Sequence, residues 1–147
     1  VGAGQTRVRV RTGGICGSDL HYWQHGGFGT IRVQQPMVLG HEAAGEVMEL
    51  GRGVRDLAIG DHVILVFVPS CGHCLPCMEG RPALCEPGAK ANGAGTLLSG
   101  ASRLSKGGRT VHHHIGVSAF AEYAVVARES AVKIDKSLAF EEAASTQ

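Results

Sequence analysis

Residues 44–68 carry the sequence AGEVMELGRGVRDLAIGDHVILVFV, in which two short apolar runs flank a turn containing two glycines. The runs at 44–50 and 61–68 are rich in Val, Ile and Leu and are bounded by Gly, Arg and Asp. Runs of this length and composition are typical of β-strands, and the Gly-Arg-Gly turn at 51–53 separates them. This stretch predicts two strands separated by that turn.

The rest of the chain adds short strands and little helix. Residues 7–11 alternate Arg and Val with a period of two, which predicts a strand with one solvated face. Residues 122–127 and 131–134 predict two more strands, and only 18–23 and 140–145 have a helical pattern. Glycine is abundant, 22 of 147 residues, and it punctuates these elements. The pattern favours a mainly β fold, a barrel or an irregular sandwich.

Length and composition limit the functional classes. A chain of 147 residues with 44% hydrophobic and 18% charged residues is typical of one globular domain. A net charge of +1 gives no electrostatic reason to expect a nucleic-acid partner. The longest apolar run, 63–68, is far too short to cross a bilayer, and no secretory signal opens the chain, which begins at Val1. We therefore expect neither a nucleic-acid nor a membrane partner.

Four of the five cysteines lie close together. Cys71, Cys74, Cys77 and Cys85 follow the pattern C-x2-C-x2-C-x7-C inside residues 69–104, a stretch without usable periodicity. An odd cysteine count and tight clustering argue against a disulfide framework and favour metal ligation in a reducing compartment, so we expect a cytoplasmic protein. Four thiolates at this spacing predict a closed structural zinc site that orders the 69–104 lobe.

Two alternatives to structural zinc remain open at this point. The first three cysteines fit the start of an iron–sulfur motif, although Cys85 follows after seven residues and precedes Glu86 rather than proline. Disulfides or free thiols are the other alternative. His73 lies between the ligands, and with four cysteines available we expect it to be a solvent-facing loop residue.

A second constellation combines Cys16 with the Gly-His-Glu sequence at 40–42. Cys16, His41 and Glu42 offer a thiolate, an imidazole and a carboxylate, the mixed donor set that catalytic zinc uses while leaving one position open. Asp19 could accept the other ring proton of His41 and so fix its tautomer and orientation.

Two further polar residues follow Cys16. Ser18 offers a hydroxyl that could pass a proton beside the metal, and His21, one helical turn beyond, could carry it to solvent. The alternative for Ser18 is a helix cap.

The chain resembles the zinc-dependent medium-chain alcohol and polyol dehydrogenases. The resemblance rests on segments that occur in family order and cover nearly the whole chain: 14–23, 40–45, 60–63, the cysteine lobe, and 113–135 with its GVSAFAEY core at 116–123. It implies a GroES-like β-barrel with a zinc-binding lobe and a few short helices.

The resemblance also implies roles for the candidate residues. Cys16 and His41 match catalytic zinc ligands, and Glu42 matches a residue that is a ligand in some members and a second-layer group in others. Ser18 and His21 match the proton relay from the alcohol. The four clustered cysteines match the structural zinc site. Two zinc ions and a small-molecule alcohol or polyol substrate are therefore expected.

No dinucleotide-binding motif occurs in the sequence. The chain contains no G-x-G-x-x-G followed by a βαβ pattern, so we expect residues 1–147 to be the GroES-like domain alone, with the Rossmann domain absent. The family's last catalytic ligand would fall just after the EEAA sequence at 141–144. We expect a fragment, inactive in isolation, of an enzyme that uses NAD or NADP and forms a homodimer or homotetramer. The alternative is a non-catalytic zinc-binding or interaction module of the same fold.

Two features remain without an assigned function. The triplet of histidines at 112–114 is expected to be structural, since the family carries histidines at this place. Trp23 and Phe28 could belong to the core or could line the substrate entrance.

Overall fold

A computed structural model of the chain describes residues 1–146. Strands dominate this range, and the four α-helices are short. The strands are β1 Gln5–Gly13, β2 Gly27–Phe28, β3 Ile31–Arg32, β4 Met37–Val38, β5 Ala43–Leu50, β6 His62–Leu65, β7 Leu104–Lys106, β8 Arg109–His113, β9 Tyr123–Ala127 and β10 Ala131–Lys133. The helices are α1 Gly17–His25, α2 Leu75–Met78, α3 Glu86–Ala94 and α4 Phe140–Ala144, with one-turn 3-10 helices at Pro82–Leu84 and Arg128–Ser130.

Five strands form an antiparallel sheet in the order β10-β6-β5-β1-β9. At the centre, β1 pairs with β5 so that Val8 lies opposite Val47 and Gly13 opposite Ala43. Two register irregularities interrupt this ladder, after Arg7 and after Val10. Such irregularities bend a strand and increase its twist.

Side-chain alternation sends successive residues of this sheet to opposite faces, of which one covers the main core. In β1 the buried Val8 stands between the exposed Arg7 and Arg9, because successive side chains point to opposite faces. The main core lies on the inner face of the sheet and consists of valine, alanine and leucine side chains. Its fully buried members include Val8, Val47, Val63, Leu65, Val117 and Val126. On the other face, Ala143 and Ala144 of α4 pack on Ala44 together with Ile64 and Phe140.

Smaller sheets flank the main one. β4 pairs in parallel with β8, and β8 pairs antiparallel with β7. β2 and β3 form a short hairpin directly after α1. Its side chains Phe28 and Ile31 are exposed, as is Trp23 of α1, whose side chain is 82% accessible. Trp23 and Phe28 are therefore not core residues.

The predicted mainly β fold is confirmed. The strands predicted at 7–11, 44–50, 122–127 and 131–134 occur with small shifts in their bounds, and the run at 61–68 is a strand only over His62–Leu65. The helix predicted at 18–23 extends over Gly17–His25, and the one at 140–145 ends one residue earlier, at Ala144.

The prediction of no regular structure in residues 69–104 was wrong. This segment contains α2, a 3-10 helix and the nine-residue α3. The physical reason is local capping: the Cys85 Sγ accepts a hydrogen bond from the Gly88 amide at the start of α3. Pro87 occupies the first turn, where a missing amide hydrogen is tolerated.

Among the described residues, no helix has the length and apolar character that a membrane span requires.

Gly45 tests the central strand pairing. A Cβ at Gly45 would lie 2.2 Å from the Arg9 carbonyl oxygen and 2.8 Å from Val8 Cγ1, so β1 and β5 could not keep their present separation. We expect Gly45→Ala to lower the free energy of unfolding by about 1–3 kcal/mol. Urea unfolding monitored by circular dichroism measures this difference.

Gly17→Ala is the matched control. A Cβ there meets no atom within 4 Å, so this variant should be neutral or stabilising by up to about 1 kcal/mol. Equal free energies of unfolding for the two variants would show that the close spacing of β1 and β5 at Gly45 does not limit the stability of the fold.

Candidate metal centres and active site

The central strand pair brings two loops together at one edge of the sheet. Gly13, at the end of β1, pairs with Ala43, at the start of β5. Because the strands are antiparallel, the residues that follow β1 and those that precede β5 emerge side by side. The Gly14 amide donates a hydrogen bond of 2.8 Å to the Glu42 carbonyl and extends this pairing beyond the sheet.

Cys16, His41 and Glu42 meet at this edge. One donor atom from each of the three side chains lies within 4.8 Å of the other two. Gly14 leaves room for the carboxylate, since a Cβ at that position would lie 2.6 Å from the Glu42 Oε2. A thiolate, an imidazole and a carboxylate converging in this way match the donor chemistry of a catalytic zinc site with an open position.

The buried carboxylate of Asp19 organises both loops. Its Oδ2 accepts a hydrogen bond of 3.1 Å from the Cys16 amide, and its Oδ1 accepts one of 3.2 Å from the Gly40 amide. The His41 Nδ1 lies 3.4 Å from Oδ1, close enough for an ionic contact but outside hydrogen-bond geometry, so this buried nitrogen has no full partner. With Nδ1 beside the carboxylate, Nε2 of His41 is the nitrogen left for a metal.

The structure excludes the alternative that Ser18 caps helix α1. The N-cap of α1 is Cys16, so Ser18 is the second residue of the helix and not its cap. Ser18 is half-buried, whereas the exposed His21 contacts the rings of His25 and Phe28 at 5.8 and 5.3 Å. Within residues 1–146 no hydrogen bond joins Ser18 to His21, although the i,i+3 spacing puts both on neighbouring positions of one helix face.

The four clustered cysteines converge on one point. Their Sγ atoms all lie within 4.8 Å of one another, and none of the four forms a disulfide. Four sulfurs bound to one zinc at about 2.3 Å each are roughly 3.8 Å apart, so the cluster fits this ion. Amides of the loop donate to the sulfurs, from Cys71 to Cys85 at 3.2 Å and from Cys74 to Cys71 at 3.3 Å.

The electrostatics of the cluster also fit a cation. A hydrogen bond from the Cys77 amide is the main cause that lowers the pKa of Cys74 to about 7. Desolvation within the cluster, followed by the neighbouring sulfurs, raises the pKa of Cys77 to about 12. The Cys77 thiol therefore ionises at neutral pH only with a positive charge nearby. The His73 ring is exposed and contacts the Cys71 carbonyl at 2.7 Å through Nδ1, as expected for a loop residue.

The histidine triplet contains a residue that the sequence did not assign to the site. His114 is buried, and its Nδ1 lies 3.7 Å from the same Asp19 Oδ1 that faces His41. Burial, and then the nearby His41, lowers the pKa of His114 to about 4 although Asp19 opposes this shift. Its position next to Asp19 depends on the pairing of distant segments, so no local sequence signal indicated it.

His113 has a different environment. It is 1% exposed, its Nε2 accepts a hydrogen bond of 3.1 Å from the Arg103 amide, and its Nδ1 is buried without a partner. Burial, and to a smaller extent His112, lowers the pKa of His113 to about 4, so the ring is neutral at pH 7. His113 is thus a structural residue of β8, in line with the prediction for the triplet.

The family model for the alcohol dehydrogenase GroES-like domain matches residues 2–136. The chain belongs to this family. The predicted resemblance to zinc-dependent alcohol dehydrogenases and the GroES-like fold are thereby confirmed. A relative from Synechocystis sp., S-(hydroxymethyl)glutathione dehydrogenase, is 38% identical over 137 residues, which are 90% of this chain and 35% of the relative. The chain therefore spans about a third of the length of this curated relative.

Solved structures give the same fold. An alcohol dehydrogenase zinc-binding domain protein from Burkholderia ambifaria is 35% identical with a TM-score of 0.79, over 92% of this chain and 36% of that one. Benzyl alcohol dehydrogenase from Acinetobacter calcoaceticus is 31% identical with a TM-score of 0.79, over 98% and 37%. A short chain alcohol dehydrogenase from Escherichia coli, complexed with NADH, is 35% identical with a TM-score of 0.65, over 97% and 34%.

The buried His113 predicts a specific acid sensitivity. Its pKa is about 4 in the fold, below the ordinary histidine value of 6.5, so the unfolded chain takes up a proton first as the pH falls. The contribution of the neutral His113 to stability is therefore fully present above about pH 6.5, and it is lost as the pH falls towards the folded pKa. Between about pH 7 and about pH 4.5, we expect the free energy of unfolding of wild type to fall by on the order of 2 kcal/mol more than that of His113→Gln.

Gln can still accept the Arg103 hydrogen bond but does not titrate, so it isolates the histidine contribution. Urea midpoints at several pH values give the difference between the two proteins, and any metal released by acid is common to both. Parallel pH profiles for wild type and His113→Gln would show that His113 does not cause the loss.

Proposed function

We propose that this chain is the zinc-binding catalytic domain of an NAD(P)-linked dehydrogenase that oxidises an alcohol or a polyol. The observation that carries the proposal is the convergence of Cys16, His41 and Glu42 within 4.8 Å, at a position set by the β1–β5 pairing. Membership of the alcohol dehydrogenase GroES-like family supports zinc as the metal for this donor set. In this proposal the GroES-like domain extends over residues 1–147.

A second zinc ion has a structural role in the proposal. Cys71, Cys74, Cys77 and Cys85 use every sulfur of the 69–104 lobe, so an ion held there has no open position for a substrate. The lobe buries few apolar side chains: Leu75, Met78 and Leu84 are all exposed. Metal binding is the interaction that can hold such a loop together.

Each residue of the catalytic centre has a proposed task. Cys16, His41 and Glu42 would hold zinc, which would supply a Lewis acid that lowers the pKa of an alcohol hydroxyl. Asp19 holds the His41 ring in one orientation through its position beside Nδ1. Ser18 accepts the hydroxyl proton of the substrate, and the exposed His21 passes it to solvent.

The remaining features concern the complete enzyme. NAD or NADP is the hydride acceptor, as the cofactor of the E. coli structure suggests. The substrate is a small alcohol or polyol, and the complete enzyme is a homodimer or homotetramer in the cytoplasm. None of the five cysteines in the described residues forms a disulfide, which is in keeping with that reducing compartment.

Metal content tests the two proposed sites separately. Elemental analysis of the purified chain should find two zinc ions per chain and no iron. Cys16→Ser and Cys71→Ser should each lose one, because each removes a ligand from only one of the clusters. His73→Ala is the matched control and should retain both ions, since its ring is exposed and outside the cluster.

Two results would contradict this assignment. Full zinc content in Cys16→Ser would show that Cys16 does not bind zinc. That result would favour a non-catalytic zinc-binding module. A coloured protein that contains iron would show that the four clustered cysteines bind an iron–sulfur cluster and not zinc.

The proton path is tested in the complete enzyme that carries this chain. Ser18→Ala should lower kcat roughly 100-fold or more with little change in zinc content, because general acid–base transfer contributes on the order of 100–10,000-fold. Ser18→Thr, which keeps a hydroxyl, should recover much of the activity. Ser105→Ala, an exposed serine of β7, is the control. Unchanged turnover in Ser18→Ala would exclude the serine from proton transfer.

A further inference from the structure

Two histidines of α1 lie side by side on the surface of the protein. His21 and His25 are four residues apart in this nine-residue helix, so they share one of its faces. Their ring centroids are 5.8 Å apart and the ring planes are inclined at 39°. Both residues are exposed, so dissolved ions can reach the pair. The proposed proton path uses His21 and gives no task to His25.

The end of the helix restricts the position of His21. Gly26 ends α1 with a φ of 65°, and its amide donates a hydrogen bond of 3.0 Å to the Tyr22 carbonyl. This left-handed turn reverses the chain, and β2 packs against α1. The Phe28 ring of β2 thereby contacts the His21 ring at 5.3 Å. The His21 ring thus has neighbours in both Phe28 and His25, which limit its rotation.

The spacing of the pair fits a metal ion. Two histidines at positions i and i+4 of one helix face are an arrangement through which helices bind zinc. Imidazoles bound to one ion at about 2.1 Å place their ring centroids roughly 5 Å apart. The centroid distance of 5.8 Å is close to this value, and two exposed side chains can rotate to close the difference. Imidazole nitrogen suits zinc, copper and nickel.

We propose that His21 and His25 form a surface site for a divalent transition metal ion, with water completing its coordination. Neither histidine belongs to the two cysteine-containing clusters. The protein supplies two ligands here, against three or four in those clusters, so the surface site binds zinc more weakly and fills only when zinc is added.

An ion on this pair interrupts the proposed proton path. A neutral imidazole has one nitrogen with a free lone pair. A metal bound to His21 uses that lone pair, so the ring can no longer accept the proton that Ser18 delivers. Added zinc therefore inhibits the complete enzyme. This consequence rests on the proposed dehydrogenase function, whereas metal binding by the pair does not.

His25→Ala tests the site in the chain itself. It removes one ligand, leaves His21 in place and keeps a residue that favours helix. Gln24→Ala is the matched control, because Gln24 is an exposed neighbour on the same helix and outside the histidine pair. The probe is Zn²⁺, added by equilibrium dialysis after the two cysteine-containing sites have been filled.

We expect wild type and Gln24→Ala to bind one further zinc ion per chain. His25→Ala should bind it at least about tenfold more weakly, since losing a group that only supports a metal ligand already costs about 10–100-fold in affinity. In the chain labelled with ¹⁵N-histidine, the added zinc should shift the ring nitrogen resonances of His21 and His25 together.

Turnover of the complete enzyme tests the inhibition. Saturating the surface site with zinc should lower the kcat of wild type about 10–100-fold, because it removes a proton-transfer group. His25→Ala should have the wild-type kcat without added zinc and should keep it at the zinc concentration that inhibits wild type. Gln24→Ala should be inhibited as wild type is.

The outcomes distinguish the surface site from the proposed function. Equal zinc affinity in wild type and His25→Ala, in an enzyme that turns over normally, would overturn the surface site and leave the dehydrogenase function intact. Binding by the pair without NAD(P)-linked oxidation by the complete wild-type enzyme would overturn the proposed function and leave the metal site standing. Binding in an active enzyme whose kcat does not fall would overturn the inhibition.

Discussion

The buried carboxylate of Asp19 is the constraint on which the candidate active site depends. A charge removed from water must be matched by donors, and Asp19 finds them in the amides of Cys16 and Gly40. One of these amides belongs to a proposed ligand, and the other directly precedes His41. The same carboxylate faces both His41 and His114. One side chain thus links the start of α1, the loop before β5 and the end of β8, and its loss would release all three.

Sequence patterns predicted the elements whose side chains alternate strongly. The Arg and Val alternation of β1 and the apolar run of β5 gave strands near their observed bounds, because each buries one face. Patterns did not predict α3, in which two glycines weaken the helical signal and the start depends on a cap from Cys85. The parallel pairing of β4 with β8 was also not predicted, since the two-residue β4 leaves no periodic trace and its partner lies in a distant segment.

In the candidate site, too, local sequence patterns indicated some residues and not others. The cysteine cluster could be predicted from spacing because its four ligands lie within one short segment. Cys16, His41 and Glu42 are separated along the chain, and only their residue types together with the family resemblance indicated that they meet. His114 could not be predicted, because its contact with Asp19 follows from how β8 and the turn after it are placed and not from any local motif.

The two donor clusters differ in what holds them in place. In the lobe, the amide hydrogen bonds run to the sulfurs themselves, so the ligands and the loop that supports them are the same atoms. At the sheet edge, Cys16 and His41 are positioned by the β1–β5 pairing and by Asp19, whose hydrogen bonds do not involve the proposed donor atoms. Support from strand pairing and from a buried carboxylate fixes these side chains through rigid elements, which is how a catalytic constellation is best held. The hydrogen bonds that support the lobe therefore end on its sulfurs, whereas those that support the sheet edge end on backbone amides.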